Sequence, residues 1–145
     1  MYYKVVKLSG RIPIIKIKDN LFVSIQSDID DQTALNLQTN LLKKINKTQV
    51  GGVVLELSSV DMVDSFLGRI ISDIAKMSST MNAQTVVVGI QPAVAITLVE
   101  LGLNLEGIHT ALDLEDGIEL LKKLKRKKNK SNDKQKHSKK DRNKD

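Results

Sequence analysis

The sequence predicts an α/β fold in which a mostly parallel sheet is flanked by helices, in the order ββαβαβαβα. Three observations carry this. Segments with helical spacing of apolar residues alternate with short β-branched runs along 145 residues, the alternation expected of crossover units. The runs Val53-Val54-Leu55-Glu56-Leu57 and Thr85 to Ile90 (TVVVGI) are apolar on both faces, as central parallel strands are. Only the first two strands are separated by a short polar turn, so an antiparallel hairpin is expected at the N-terminal edge.

Taken in order, residues 1–11 form a leader. Ile12 to Ile17 and Leu21 to Ile25 are the hairpin strands, with Asp19-Asn20 as the turn pair. Pro13 lacks an amide donor and suits an edge position. From Asp30 the period becomes helical, with Ala34, Leu37, Leu41 and Ile45 on one stripe. Asp30 and Asp31 at its start and Lys43, Lys44 and Lys47 at its end complement the helix dipole. Gly51-Gly52 is expected to stop this helix and restart the chain as the strand Val53 to Leu57.

A second helix is predicted on Phe66, Ile70, Ile74, Met77 and Met81. The strand Thr85 to Ile90 follows. A third helix opens with Pro92 at its first position and carries Val94, Leu98 and Leu101, with Gly102 as its C-terminal cap. Ile108 to Leu112 is a last short strand. Asp113 is expected to cap a final helix bearing Ile118, Leu121 and Leu124. Nothing apolar recurs from Lys125, so the domain is expected to span residues 12–124 and residues 125–145 to be a disordered Lys-rich tail.

Charge is unevenly divided. The chain carries a formal +6, but residues 122–145 hold 13 Lys/Arg against 3 Asp/Glu. The remainder is therefore mildly acidic. Cysteine is absent, which rules out disulfides and thiolate metal sites. The N-terminus lacks the apolar core of a secretory signal, and Val86 to Val99 is too short and too interrupted to span a bilayer. A cytoplasmic protein without a membrane association is the expectation.

The stretch with chemical promise is LSSVDMVDSF, at the carboxyl end of the third strand. Functional loops gather at that edge of an open parallel sheet. Ser65 is expected at or beside the start of the second helix, where unpaired N–H groups and the dipole favour an anion. A phosphoserine there adds about −1.5 to −2 charges. Arg69, one turn on, is positioned to pair with it, whereas Asp61 and Asp64 oppose it. A serine at a helix start is also an ordinary cap, and that alternative stays open. Thr97, one turn into the third helix, is the second hydroxyl of interest; its ordinary role is to bond back to the preceding turn.

Enzyme chemistry is not expected. Asp61 and Asp64 have no companions for acid–base or Mg²⁺ work. His109 stands alone in a strand and His137 in the tail, so neither a metal site nor a histidine-based nucleophile can be assembled. No GxGxxG or P-loop is present, and no cofactor is expected. Leu57-Ser58 ends the middle strand where a phospho-accepting receiver domain needs an acidic residue. The run Lys122 to Lys128 could hold nucleic acid or an acidic protein through phosphate-like contacts. With Tyr2, Tyr3, Phe22 and Phe66 the only aromatics, a base-stacking platform is not expected, so nucleic acid is not an expected partner of the domain.

Four separated stretches, LFVSIQSDIDDQTAL, LSSVDMVDSF, GIQPAVAITLVELG and TALDLEDG, together resemble the small scaffold proteins of bacterial stressosomes, STAS-domain antagonists of the RsbS type. The resemblance runs from about Ile12 to Leu124. Anti-anti-sigma factors share the fold and the strand–loop–Ser–helix element more loosely. The resemblance implies a STAS domain without catalytic activity, in a large cytoplasmic oligomer with larger STAS-domain co-antagonists that carry sensory N-terminal domains. It implies sequestration of a serine/threonine kinase of the GHKL ATPase type, released on phosphorylation of Ser65, and resetting by a PP2C-type phosphatase, in control of a general stress response through sigma-B. Thr97 matches a second phosphosite of the larger relatives. Asp61, Met62, Asp64, Phe66 and Arg69 around Ser65 are the expected partner-binding residues, with Met62 and Phe66 as apolar anchors. The Lys-rich segment and Arg69 lie outside the family pattern. The rival readings are a standalone anti-anti-sigma factor switched by serine phosphorylation and a nucleic-acid-binding protein acting through its basic tail.

Overall fold

A computed structural model describes residues 11–103 and 108–142. The element order is β1 (Ile15–Ile17), β2 (Asn20–Ser24), α1 (Asp31–Thr48), β3 (Gly52–Glu56), α2 (Ser65–Thr80), β4 (Gln84–Val88), α3 (Pro92–Glu100), β5 (His109–Ala111) and α4 (Leu114–Arg142). The five strands form one sheet in sequence order. β1 pairs with β2 antiparallel, through Ile17↔Asn20, and every later pair is parallel. The α/β class, the hairpin and the ββαβαβαβα order are those the sequence predicts.

Each strand from β3 onward is added at the same edge. Right-handed crossovers then deliver every connecting helix to one face. Alternating side chains record the result. Leu21 and Val23, Val53 and Leu55, and Val87 point into a core shared with α1, α2 and α3, where Leu37, Leu41, Ile45, Ile71, Ile74 and Leu98 are buried. Their neighbours Phe22, Val54, Val86 and Val88 point to the other face, which α4 covers with Leu120, Leu121 and Leu124. Central strands apolar on both sides follow from this double cover.

Several element ends differ from the sequence reading. The hairpin turn is Lys18-Asp19, with Lys18 at φ 54°, and Asn20 already pairs in β2. Helix α1 ends at Thr48, and Gln49, not a glycine, takes the left-handed cap conformation at φ 55°, its N–H donating to the Ile45 carbonyl. Gly102, at φ 67°, does close α3: its N–H reaches the Val99 carbonyl at 3.0 Å and the Leu103 N–H reaches Leu98 at 3.2 Å, the paired bonds of a Schellman ending. Asp30 caps α1 through the Thr33 N–H at 2.7 Å, and Asp113 caps α4 through the Asp116 N–H at 2.9 Å.

The largest difference lies after Leu124. Where the sequence reading expects a disordered tail, α4 continues to Arg142. Leu120, Leu121 and Leu124 dock the first turns on the sheet, so the costly nucleus is already in place. Beyond it the residues are mainly Lys, Arg, Gln, Asn and Ser, with no Gly or Pro after Gly117 to stop propagation. The Lys125 ammonium meets the Asp19 carboxylate at 2.9 Å and the Lys128 ammonium meets the Asn82 side chain at 2.9 Å. Residues 1–10 of the expected leader lie outside the described residues. No described helix is long and apolar enough to cross a membrane.

Packing of α4 is close. A Cβ at Gly117 would sit 2.8 Å from one Val88 methyl and 3.3 Å from one of Val86. Gly117→Ala is expected to lower stability by roughly 1–3 kcal/mol by forcing the helix off the sheet. Leu41→Ala, in the opposite core, should cost about 2–5 kcal/mol. Leu112→Ala, at an 81% exposed side chain, should stay within about 0.5 kcal/mol. Urea unfolding of the three variants checks this ranking.

Candidate functional site at the mouth of the second helix

Residues Leu57 to Asp64 connect β3 to α2 at the carboxyl edge of the sheet. The loop is held from inside and from both sides. Val60 and Val63 are buried in the core. On one side the Ser27 hydroxyl, in the β2–α1 loop, bridges the Ser59 carbonyl and the Asp61 carboxylate, the latter at 3.0 Å. On the other side the Gln91 side-chain amide donates to the Ser58 carbonyl at 2.8 Å. A buried apolar pair and two flanking bridges fix the backbone and leave Asp61, Met62, Asp64 and Ser65 outward.

Asp64, not Ser65, caps α2. It is extended (φ −89°, ψ 175°), and its carboxylate accepts the Leu67 N–H at 2.8 Å. Ser65 is the first helical residue and is exposed. The cap reading of this serine is thereby answered: the capping bond belongs to its neighbour, and the Ser65 hydroxyl is not required for it. Ser65 stands where the helix dipole is positive and solvent has access, the conditions for accepting a phosphoryl group.

The other expected residues divide. Met62, a large apolar side chain, is 82% exposed. Phe66 is half-buried and leans on the main core, so only part of it is available to a partner. A hollow of about 280 Å³ beside them is walled by Asp28, Asp31, Met62, Asp64 and Phe66. Arg69 is exposed one turn into α2. Thr97 lies on a different helix, and its hydroxyl donates to the Ala93 carbonyl at 2.9 Å, the backbone-bonded role expected of a mid-helix threonine. His109 is half-buried in β5 and His137 exposed on α4. Among the described residues no group of three His, Cys, Asp or Glu could hold a metal.

Sequence reasoning missed the group that shapes the loop. Glu56, the last residue of β3, accepts the Ser24 hydroxyl at 2.9 Å and the Ser58 N–H at 2.7 Å. Gly89 lets this happen. A Cβ there would lie 3.0 Å from a Glu56 carboxylate oxygen and 3.3 Å from the Ser58 nitrogen, and its φ of 72° disfavours other residues. A lone acid ending an apolar strand was the available signal. Partial burial pushes the Glu56 pKa up, but Ser58, by side chain and backbone N–H, and the Ser24 hydroxyl together hold it below 4.5.

A carboxyl with a lowered folded pKa contributes stability that is complete above its unfolded value of 4.5 and is lost as pH falls through the folded value. Asp30 behaves alike around its own ordinary value of 3.8, held down by the Thr33 side chain and N–H. Glu56→Gln is expected to cost on the order of 1 kcal/mol at neutral pH. It should also make the fall in urea midpoint between about pH 5 and about pH 3 shallower than in the wild type.

Comparison with known proteins agrees with this architecture. The STAS domain family matches residues 11–117. RsbS from Moorella thermoacetica, in a serine-to-glutamate variant, superposes with a TM-score of 0.72 at 37% identity, covering 79% of this chain and 97% of that one. A chain from the stressosome, described as a signal integration and transduction hub, gives 0.67 at 36% identity, covering 79% and 99%. The RsbT co-antagonist protein RsbRA of Bacillus subtilis is 28% identical over 108 residues, 74% of this chain. This chain spans only 39% of the length of that relative. The anti-sigma factor antagonist SpoIIAA, at 9% identity and a TM-score of 0.59, shares the fold alone. With a family match over most of its length and an RsbS likeness across nearly the whole of that protein, the chain belongs to the STAS domain family.

Proposed function

We propose that this protein is a non-catalytic stressosome scaffold. It holds a serine/threonine kinase of the GHKL ATPase type at the mouth of α2 and releases it when Ser65 is phosphorylated. The observation that carries the reading is the division of labour at the helix start. Asp64 makes the cap while Ser65, next in sequence, is exposed beside an exposed Met62. In the resting state Met62 and the open side of Phe66 supply apolar contact, beside the carboxylates of Asp28, Asp31, Asp61 and Asp64. A phosphate on Ser65 adds a dianion to an edge already rich in carboxylates and breaks that contact by repulsion and desolvation. Arg69, four residues on, is the cation within reach of the phosphate.

The cytoplasmic assembly would include larger STAS co-antagonists, as the names of the RsbR relatives and the stressosome likeness suggest. A PP2C-type phosphatase would reset the switch, and the output would be a general stress response. Thr97 is the weaker phosphosite because its hydroxyl is already bonded to the helix backbone.

Ser65→Asp is expected to weaken binding of the partner kinase at least about tenfold, and Ser65→Ala to bind like the wild type but stay bound when ATP is supplied. Met62→Ala should weaken binding by about 1–2 kcal/mol. Calorimetry with the purified kinase measures all three, and wild-type affinity in Ser65→Asp would refute the switch. A standalone antagonist, in contrast to a scaffold, would run at tens of kilodaltons in native mass measurements with its co-antagonists present.

A further inference from the structure

Helix α4 carries a feature that the scaffold reading does not use. It starts at Asp113 on the carboxyl edge of the sheet and crosses the face. It leaves the domain at the opposite edge, where Lys125 meets Asp19 and Lys128 meets Asn82. From Lys125 to Lys139 every side chain is exposed. Between Lys122 and Lys139 the helix carries ten Lys/Arg and one acid, Asp133. Among the described residues only Lys122 and Lys125 pair with carboxylates.

The disposition of charge selects a partner. At 100° per residue Lys123, Lys127, Lys130 and Lys134 form one row, and Lys125, Lys128, Lys136 and Lys139 lie on the opposite flank, where Lys125 and Lys128 face the domain and Lys136 and Lys139 project beyond it. A membrane-surface helix needs an apolar face, and no apolar residue follows Leu124. A flat acidic protein surface would engage one row and leave the other in solvent. A groove walled by two phosphate backbones engages both. The major groove of B-form DNA, about 12 Å wide, admits a helix about 10–12 Å across. The deep, narrow groove of A-form RNA does not.

We propose that the projecting part of α4 is a sequence-independent binding element for duplex DNA, seated in the major groove with Lys130 and Lys134 on one flanking phosphate backbone and Lys136 and Lys139 on the other. Base stacking plays no part, so the scarcity of aromatic residues is no obstacle. The element lies at the edge of the sheet opposite Ser65, so it operates independently of the phosphorylation switch.

The test uses the full chain and a labelled 20-base-pair DNA duplex of mixed sequence, followed by fluorescence anisotropy from about 50 to about 300 mM KCl. Binding is expected to weaken with salt at a log–log slope of about −4 to −7. Replacing Lys130, Lys134, Lys136 and Lys139 together with Gln should reduce affinity at least about tenfold and make the slope shallower by about 3 to 4. Ser131→Pro keeps every charge but breaks the helix, and should also weaken binding several-fold; Ser65→Ala should bind like the wild type. Circular dichroism checks that the domain is intact in each variant. Absence of binding at 50 mM KCl, or wild-type affinity in either helix variant, would overturn the proposal. Equal affinity for an A-form RNA duplex would overturn the groove seating. Salt-reversible self-association without DNA binding would assign the helix to the acidic edge of a second copy instead.

Discussion

The constraint on which the structure rests is the order in which its strands are laid down. Adding β3, β4 and β5 at one growing edge leaves no point where the direction reverses, so α1, α2 and α3 all fall on one face. The other face would then expose Val54, Val86 and Val88. Helix α4 covers them, and Gly117 allows it to lie close against Val86 and Val88. An apolar stripe of three leucines thus fixes the start of a helix whose remainder, among the described residues, makes no core contact of its own.

The same topology places chemistry at two opposite ends. At the carboxyl edge the loop before α2 is pinned by Val60, Val63, Ser27 and Gln91, while Glu56 holds its first residues. A loop so constrained can present Met62 and Ser65 without reorganising, which limits the entropy a partner must overcome. At the amino edge the cationic helix leaves the domain beside Asp19. Aspartates gather at one end and lysines at the other, so the net charge of +6 describes neither surface.

The fold was legible because its elements satisfy local and global preferences together. The stripe Ala34, Leu37, Leu41, Ile45 is buried as its period predicts, and Pro92, Gly102 and Asp113 mark the helix ends they suggest. Element ends were less legible where a residue acts against type. Gln49 adopts a glycine-like conformation, which sequence cannot signal when two glycines stand just beyond it at Gly51 and Gly52. The helix after Leu124 was missed because its stability is inherited from Leu120, Leu121 and Leu124, whereas periodicity reports only on burial. Around Ser65 the sequence placed the helix mouth but left open whether the serine is the cap. That choice depends on a backbone dihedral at Asp64. Glu56, Ser58 and Gln91 come together only through the sheet and were invisible to spacing along the chain.

The central claim is that Ser65 is a phosphorylation switch and not a structural residue. Phosphosite mapping by mass spectrometry on the native protein, from resting and stressed cells, addresses it most directly, with Ser65→Ala in parallel. The account predicts stress-induced phosphate on Ser65 that is lost in the variant. An unmodified Ser65 in both conditions would contradict it and leave the mouth of α2 as a constitutive binding surface.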